Sequence, residues 1–230
     1  MGFGLYLIAA DRTYECVMSA LRAGYRHFDS ASFYKNEAQA GNAFEAWLRS
    51  DPENNKRDDL FIVGKVWTTE IVAGASAVRA SFEKSLSDLK IGFFDMFMIH
   101  WPIPGHHTGA YLALVDKVGT ETRALGVSNY SAADYDELVA GLEEGMPRPA
   151  CCQMEVSPYM WRATLVDFFK NKGMQIVGYK PLGRGKRLAE DKVKGVAAKY
   201  GGTEAQVLIR WVLSKGVEVI CKTTSEARMR

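Results

Sequence analysis

Five short apolar runs in this chain each end in an ionisable or strongly polar side chain. Asp59-Leu60-Phe61-Ile62-Val63-Gly64-Lys65-Val66-Trp67 carries a lysine near its end, and Arg26-His27-Phe28-Asp29 ends in a carboxylate. Phe94-Asp95-Met96-Phe97-Met98-Ile99-His100 ends in an imidazole. Val177-Gly178-Tyr179-Lys180 ends in a phenol and an ammonium, and Val217-Glu218-Val219-Ile220-Cys221-Lys222 in a second lysine. Runs of this length, rich in Ile, Val and Phe, read as strands buried on both faces. A lysine at the end of such a strand is costly to bury without a partner. Parallel α/β folds collect their chemistry at the C-terminal ends of their strands, and the repetition here marks that edge.

The rest of the chain alternates with these runs. Gly2 to Ile8 reads as the first strand, and Asp11 as the N-cap of a helix over Tyr14 to Ala23 that Gly24 stops. Helices are expected over Glu37 to Leu48, Ala75 to Leu89, Ala110 to Val118, Arg162 to Lys172 and Glu190 to Tyr200. Ser131 caps a further helix reaching about Leu142, and Thr203 caps one reaching Ser214. Strands five to eight are expected at Arg123 to Ser128, Cys151 to Val156, Gln175 to Lys180 and Glu218 to Lys222. Eight strands in alternation with helices, in one domain over residues 1–230, predict a (β/α)8 barrel. The open doubly wound alternative lacks a G-x-G-x-x-G after the first strand.

Composition excludes several function classes. Lys+Arg is 29 against 27 Asp+Glu, which leaves no basic face for nucleic acid or an anionic membrane. No apolar run approaches the roughly 20 residues of a transmembrane helix. Gly2 to Ala10 is apolar but lacks the basic segment of a signal peptide, and Tyr6 stands where a myristoylation motif needs Ser or Thr. The four cysteines fit neither a disulfide framework nor a zinc site. The expectation is a cytoplasmic monomer with no bound metal. His106 and His107 read as solvated loop residues, and Arg184 to Arg187 as a solvated basic face.

The motifs, taken together, resemble the aldo-keto reductase family. Gly24-Tyr25-Arg26-His27-Phe28-Asp29-Ser30-Ala31 followed by Tyr34, Asn36 and Glu37 is similar to that family's signature around its catalytic aspartate and tyrosine. Gly64-Lys65-Val66-Trp67, Ile99-His100-Trp101-Pro102 and Arg123-Ala124-Leu125-Gly126-Val127-Ser128-Asn129-Tyr130 resemble its lysine, histidine and Gly-Val-Ser-Asn motifs. Gln153-Met154-Glu155, Tyr179-Lys180-Pro181-Leu182-Gly183 and Lys222-Thr223 complete the series in order.

The resemblance implies NADPH-dependent reduction of an aldehyde or ketone by a tetrad of Asp29, Tyr34, Lys65 and His100. A phenol alone is a weak acid near neutrality. Lys65 close to Tyr34 would stabilise the phenolate by about 4 kcal/mol at 4 Å and an effective dielectric near 20, and so lower the phenol's pKa. Asp29 would fix Lys65, and His100 would orient the substrate oxygen. The resemblance also implies that Tyr179 stacks on the nicotinamide while Ser128, Asn129 and Gln153 hold its carboxamide. Leu182 and Gly183 join the cofactor set, and Lys222, Thr223 and Arg228 grip the 2′-phosphate. Thr223, Thr224 and Ser225 are placed to cap a helix after strand eight, a phosphate-binding position. Tyr6, Trp67 and Trp101 are assigned to the substrate pocket.

Leu5 and Tyr6 stand where that family often has Thr and Trp, and Lys180 where it often has Ser. The chain stops at Arg230, just inside the expected eighth helix, without the hairpin that closes the barrel bottom or the C-terminal substrate loop. The sequence therefore predicts a shortened reductase, low in stability and weak in cofactor binding. Two other functions fit the same motifs: a cofactor-binding regulatory subunit or inactive paralogue, and a Schiff-base barrel lyase using Lys65.

Overall fold

The computed structural model describes residues 1–229. Eight parallel strands close into a barrel in sequence order: β1 (Gly2–Gly4), β2 (His27–Asp29), β3 (Phe61–Val66), β4 (Met96–Ile99), β5 (Leu125–Ser128), β6 (Cys151–Glu155), β7 (Gln175–Tyr179) and β8 (Glu218–Cys221). The seam is sealed by β1 pairing with β8, Gly2 opposite Ile220 and Phe3 opposite Cys221. Nine α-helices lie among the described residues: α1 (Ala10–Arg22), α2 (Glu37–Ser50), α3 (Thr68–Ala73), α4 (Ala75–Leu89), α5 (His107–Leu112), α6 (Ala132–Ala140), α7 (Ala163–Asn171), α8 (Asp191–Tyr200) and α9 (Glu204–Ser214). This is the (β/α)8 barrel that the alternation of elements predicts.

Strand residues alternate between the barrel axis and the helix layer. Val63, Met96, Met98, Cys151, Val177 and Ile220 pack together inside the barrel. Their neighbours, including Ile62, Phe97, Val127, Cys152, Ile176 and Val219, join the larger core beneath the helices. Stepping two residues onward from the inner layer reaches Lys65, His100 and Gln153. The period of two therefore delivers the polar strand-end residues to the C-terminal mouth of the barrel. At the opposite end the axis opens into a cavity of about 430 Å³ lined by His27, Phe61, Met96, Cys151, Gln175 and Glu218 among others. That cavity touches none of Tyr34, Lys65 or His100.

Local chemistry fixes most element ends. Ser131 Oγ accepts from the Asp134 N–H while Asp134 accepts from the Ser131 N–H, and Thr203 and Gln206 repeat the reciprocal cap. Below the barrel, Arg57 donates to the carbonyls of Leu60, Ile91 and Phe93 and to Asp95, whose carboxylate also accepts from the Ile62 N–H.

Some boundaries differ from the sequence reading. β1 ends at Gly4 rather than Ile8, because Leu7 turns through φ 60° and Asn36 donates to the carbonyls of both Leu5 and Ile8. α1 starts at Ala10 with Ala9 as its cap, so Asp11 lies in the first turn, where its charge suits the helix dipole. The helix expected over Ala110 to Val118 begins earlier, at His107, because Ile103 O accepts from the N–H groups of His106 and His107. It is then followed by a separate 3₁₀ turn, Val115–Lys117. α3 was not expected. After β8 there is a single 3₁₀ turn, Glu226–Arg228, with no side-chain cap from Ser225. Thr223 Oγ1 instead accepts from the Ser225 N–H at 3.1 Å. Arg230 lies outside the described residues.

Gly41 lets α2 lie close against α4. A Cβ built on it would stand 2.1 Å from Asp88 O and 2.8 Å from Leu89 Cα, both backbone atoms of α4. An alanine in an ordinary helix stabilises by up to about 1 kcal/mol relative to glycine. Here overpacking outweighs propensity, so Gly41→Ala is expected to destabilise by about 1–3 kcal/mol or more. Urea unfolding measures this, and a neutral or stabilising result would show that α2 and α4 are less tightly packed than described.

Candidate active site

Lys65 is fully buried, with a side-chain exposure of 0%. It survives there because its Nζ finds three oxygens: Asp29 Oδ1 at 2.6 Å, the Ser30 carbonyl at 2.6 Å and Tyr34 Oη at 3.2 Å. Asp29 is itself buried, and its second oxygen accepts from Gln153 Nε2 at 2.7 Å. The three sides of this cluster come from β2, β3 and β6, so barrel closure assembles it.

Tyr34 is held over the mouth by the 3₁₀ turn Ser32–Tyr34, and Lys35 beyond it adopts a left-handed conformation. Ser32 Oγ donates to Lys65 O at 3.2 Å, tying that turn to β3. The Tyr34 ring meets His100 edge-on at 5.7 Å between centroids and Tyr6 at 5.1 Å. Trp67 stands edge-on to the other side of His100 at 4.9 Å, and Phe33 stacks flat on Trp67 at 3.8 Å. Phe33 belongs to this aromatic rim and sequence reading missed it; its place beside Tyr34 was the available signal. Trp101 is 42% exposed on the same side, directly after His100.

The electrostatics separate the groups. Burial pulls the Lys65 ammonium below its ordinary pKa, and Asp29 opposes that shift. Burial, with the adjacent Lys65 charge, pushes His100 down to about 2, so its imidazole is neutral. The Tyr34 phenol is pushed well above its ordinary value, first by burial and then by the Asp29 carboxylate. The expected lowering by Lys65 is therefore not the outcome in the free chain. The ammonium lies closer to Asp29 and to the Ser30 carbonyl than to the phenol, and desolvation outweighs what remains. A phenol that keeps its proton is the form a general acid requires.

A second network adjoins the first. Asn129, at the left-handed φ of 64°, donates to His100 O and Ser128 Oγ at 3.0 Å each. Its Oδ1 accepts from Tyr179 Oη at 2.5 Å. Gln153 gives its amide hydrogen to Asp29, and no donor meets its Oε1 among the described residues. Lys180 pairs with Glu155 at 3.2 Å and lies against the Tyr179 ring. Leu182 and Gly183 follow at the same edge, Gly183 with a positive φ of 54°. Lys222 and Arg228 are exposed, with Thr223 between them in sequence. They stand after β8, apart from the buried tetrad.

Glu37 and His107 are two buried polar residues that the sequence reading left without a structural role. Glu37 is buried between the hydroxyls of Ser30 and Ser85, both of which donate to it. His107 was read as solvated and is fully buried, whereas its neighbour His106 is exposed. No cluster that could hold a metal ion occurs among the described residues, and no helix there is long and apolar enough to cross a membrane.

Fold and site together define a barrel whose mouth holds a buried lysine–aspartate pair, a phenol and a neutral imidazole. The Aldo/keto reductase family model matches residues 1–230, and the chain belongs to that family of oxidoreductases. It is 33% identical to an aldo-keto reductase of Mycolicibacterium smegmatis, over 100% of this chain and 80% of that protein. Identity to a glyoxal reductase of Bacillus subtilis is 32%, over 99% of this chain and 79% of the relative. The solved aldose reductase of Schistosoma japonicum superposes with a TM-score of 0.89 at 27% identity, over 99% of this chain and 80% of that one.

The buried pair makes a prediction for stability. Removing one partner strands the other charge in the interior, which typically costs about 3–5 kcal/mol. Asp29→Ala is therefore expected to lose stability on that scale. Adding Lys65→Met should recover part of the loss, since no charge is then left uncompensated. Urea denaturation of both variants checks this; a double variant no more stable than Asp29→Ala would contradict it.

Proposed function

We propose that this chain reduces an aldehyde or ketone to the corresponding alcohol with NADPH. The observation that carries the reading is Lys65 Nζ at 3.2 Å from Tyr34 Oη and 2.6 Å from Asp29, beside a neutral His100. Carbonyl reduction needs a hydride at carbon and a proton at oxygen. The nicotinamide supplies the hydride when bound. This chain's residues supply the rest. Tyr34 gives its proton to the carbonyl oxygen, and Lys65 stabilises the phenolate left behind. Asp29 holds Lys65 charged and in place. His100, neutral, hydrogen-bonds the substrate oxygen and sets its direction.

The residues present suit such a cofactor. Tyr179 offers an aromatic face, and the unpartnered Oε1 of Gln153 offers an acceptor at the base of the site, with Ser128 and Asn129 beside it. Lys222 and Arg228 are cations with a hydroxyl, Thr223, between them, a set suited to the extra phosphate of NADPH. Leu182 and Gly183 would line the groove between these two ends. Tyr6, Phe33, Trp67 and Trp101 would shape the substrate pocket. The relative named glyoxal reductase supports a small carbonyl compound as substrate. The lyase alternative is disfavoured, because Lys65 directs all three of its N–H donors at fixed oxygens and has no free lone pair for attack. We place the protein in the cytoplasm as a monomer.

Tyr34→Phe tests the assignment of the acid. It removes the proton donor and leaves the cofactor groups intact. Turnover of NADPH with an aldehyde substrate should fall at least ~10²-fold, the usual worth of a general acid. The dissociation constant for NADPH, read by fluorescence titration, should stay within about twofold, since no hydrogen bond to the cofactor is removed. Retained activity would mean that another group protonates the substrate.

A further inference from the structure

His107 is buried at 0% exposure in a position no catalytic step above uses. Its Nδ1 lies 3.0 Å from Tyr130 Oη, and the two rings meet edge-on at 5.2 Å. Its Nε2 lies 3.2 Å from Glu137 Oε1 on α6. The same Glu137 oxygen accepts from the Gly105 N–H at 3.3 Å, in the loop that leads from His100 to α5. Tyr130 is 1% exposed. The imidazole thus joins three pieces of chain: the start of α5, the residue after Asn129, and α6 with the loop behind Trp101.

Tyr130 directly follows Asn129, one of six non-glycine residues with a positive φ among the described residues. Asn129 adopts a left-handed backbone that costs free energy for a side chain other than glycine. Such a conformation persists only where neighbours over-determine it. On one side the Asn129 N–H donates to Gln153 O at 2.8 Å. On the other side the next anchor in the chain is the Tyr130 ring with its bond to His107. Asn129 in turn holds the His100 carbonyl and the Tyr179 hydroxyl. His107 Nδ1 and Tyr130 Oη share one hydrogen bond, while Nε2 lies 3.2 Å from Glu137 without an aligned hydrogen bond to it.

We propose that His107, through Tyr130, is a positioning residue that holds Asn129 in its left-handed conformation and thereby orders the nicotinamide end of the cofactor site. The cofactor part rests on the function proposed above. His107 touches no reacting atom. It acts on the site through one hydroxyl and one left-handed backbone position.

Three variants of the full chain separate this from a merely structural role. Tyr130→Phe removes only the hydroxyl. His107→Gln keeps a group facing Glu137 but loses the one facing Tyr130, and His107→Asn does the reverse. Amide hydrogen exchange by NMR reads Asn129 directly through its N–H, with the Ser30 N–H, bonded to Val63 O, as an internal control. Tyr130→Phe and His107→Gln should speed exchange at Asn129 about tenfold, the scale of one lost hydrogen bond, and leave Ser30 unchanged. Both should weaken NADPH binding about tenfold by fluorescence titration, on the same scale. His107→Asn should restore both values to within about threefold of the parent. Unchanged exchange at Asn129, or equal acceleration at Asn129 and Ser30, would overturn the proposal. So would faster exchange at Asn129 with NADPH affinity intact. A parent chain that binds no NADPH, with Asn129 exchange still responding to Tyr130→Phe, would support the positioning role and overturn the cofactor reading instead.

Discussion

A buried ammonium needs partners, and the arrangement of this site follows from how Lys65 obtains them. With no exposure to water, Lys65 must be met by oxygens at hydrogen-bonding distance or give up its proton. Asp29 and the Ser30 carbonyl meet it at 2.6 Å each, Asp29 ending β2 and Ser30 directly following it. That requirement fixes the register of β2 against β3 at the mouth. It also fixes the turn after β2, and so the place of Tyr34. The charge beside the phenol and the geometry that places the phenol are consequences of the same pair.

The barrel supplies the rest by periodicity. Inward residues recur every second position along each strand, so the layer above the apolar plug is drawn from several strands at once. Lys65, His100 and Gln153 occupy that layer together with Asp29. None could be assembled by local structure alone, since Gln153 and Asp29 are 124 residues apart and still within 2.7 Å. The adjoining hub at Asn129 extends the layer toward Tyr179. Its side chain takes up the His100 carbonyl and the Tyr179 hydroxyl, which links the end of β4 to the end of β7 through one amide. The 430 Å³ cavity at the other end of the axis touches none of Tyr34, Lys65 or His100.

The strands and their polar ends were legible in the sequence because burial on both faces writes an uninterrupted apolar run. α4 was legible to the residue, Ala75–Leu89, with Lys90 ending it in a left-handed turn. The capping hydroxyls of Ser131 and Thr203 announced their helices for a similar local reason. The features that escaped depend on partners far along the chain. His107 stands among prolines and glycines, where a histidine is ordinarily solvated; its burial depends on Tyr130 and Glu137. The upward shift of the Tyr34 phenol escaped because it arises from desolvation, which only the closed barrel produces. The helix expected after β8 is, among the described residues, a 3₁₀ turn without a side-chain cap.

In the proposed reaction Lys65 acts through Tyr34. A double-mutant cycle on turnover tests it, using Lys65→Met, Tyr34→Phe and both together in single-turnover reduction of an aldehyde. Groups that act as a unit are strongly non-additive. The account predicts that adding Lys65→Met to Tyr34→Phe lowers the rate by no more than about threefold, although Lys65→Met alone lowers it by ~10² or more, the scale of a lost general acid. Losses that multiply in the double variant would show that Lys65 acts on the substrate independently of Tyr34, and would contradict the account.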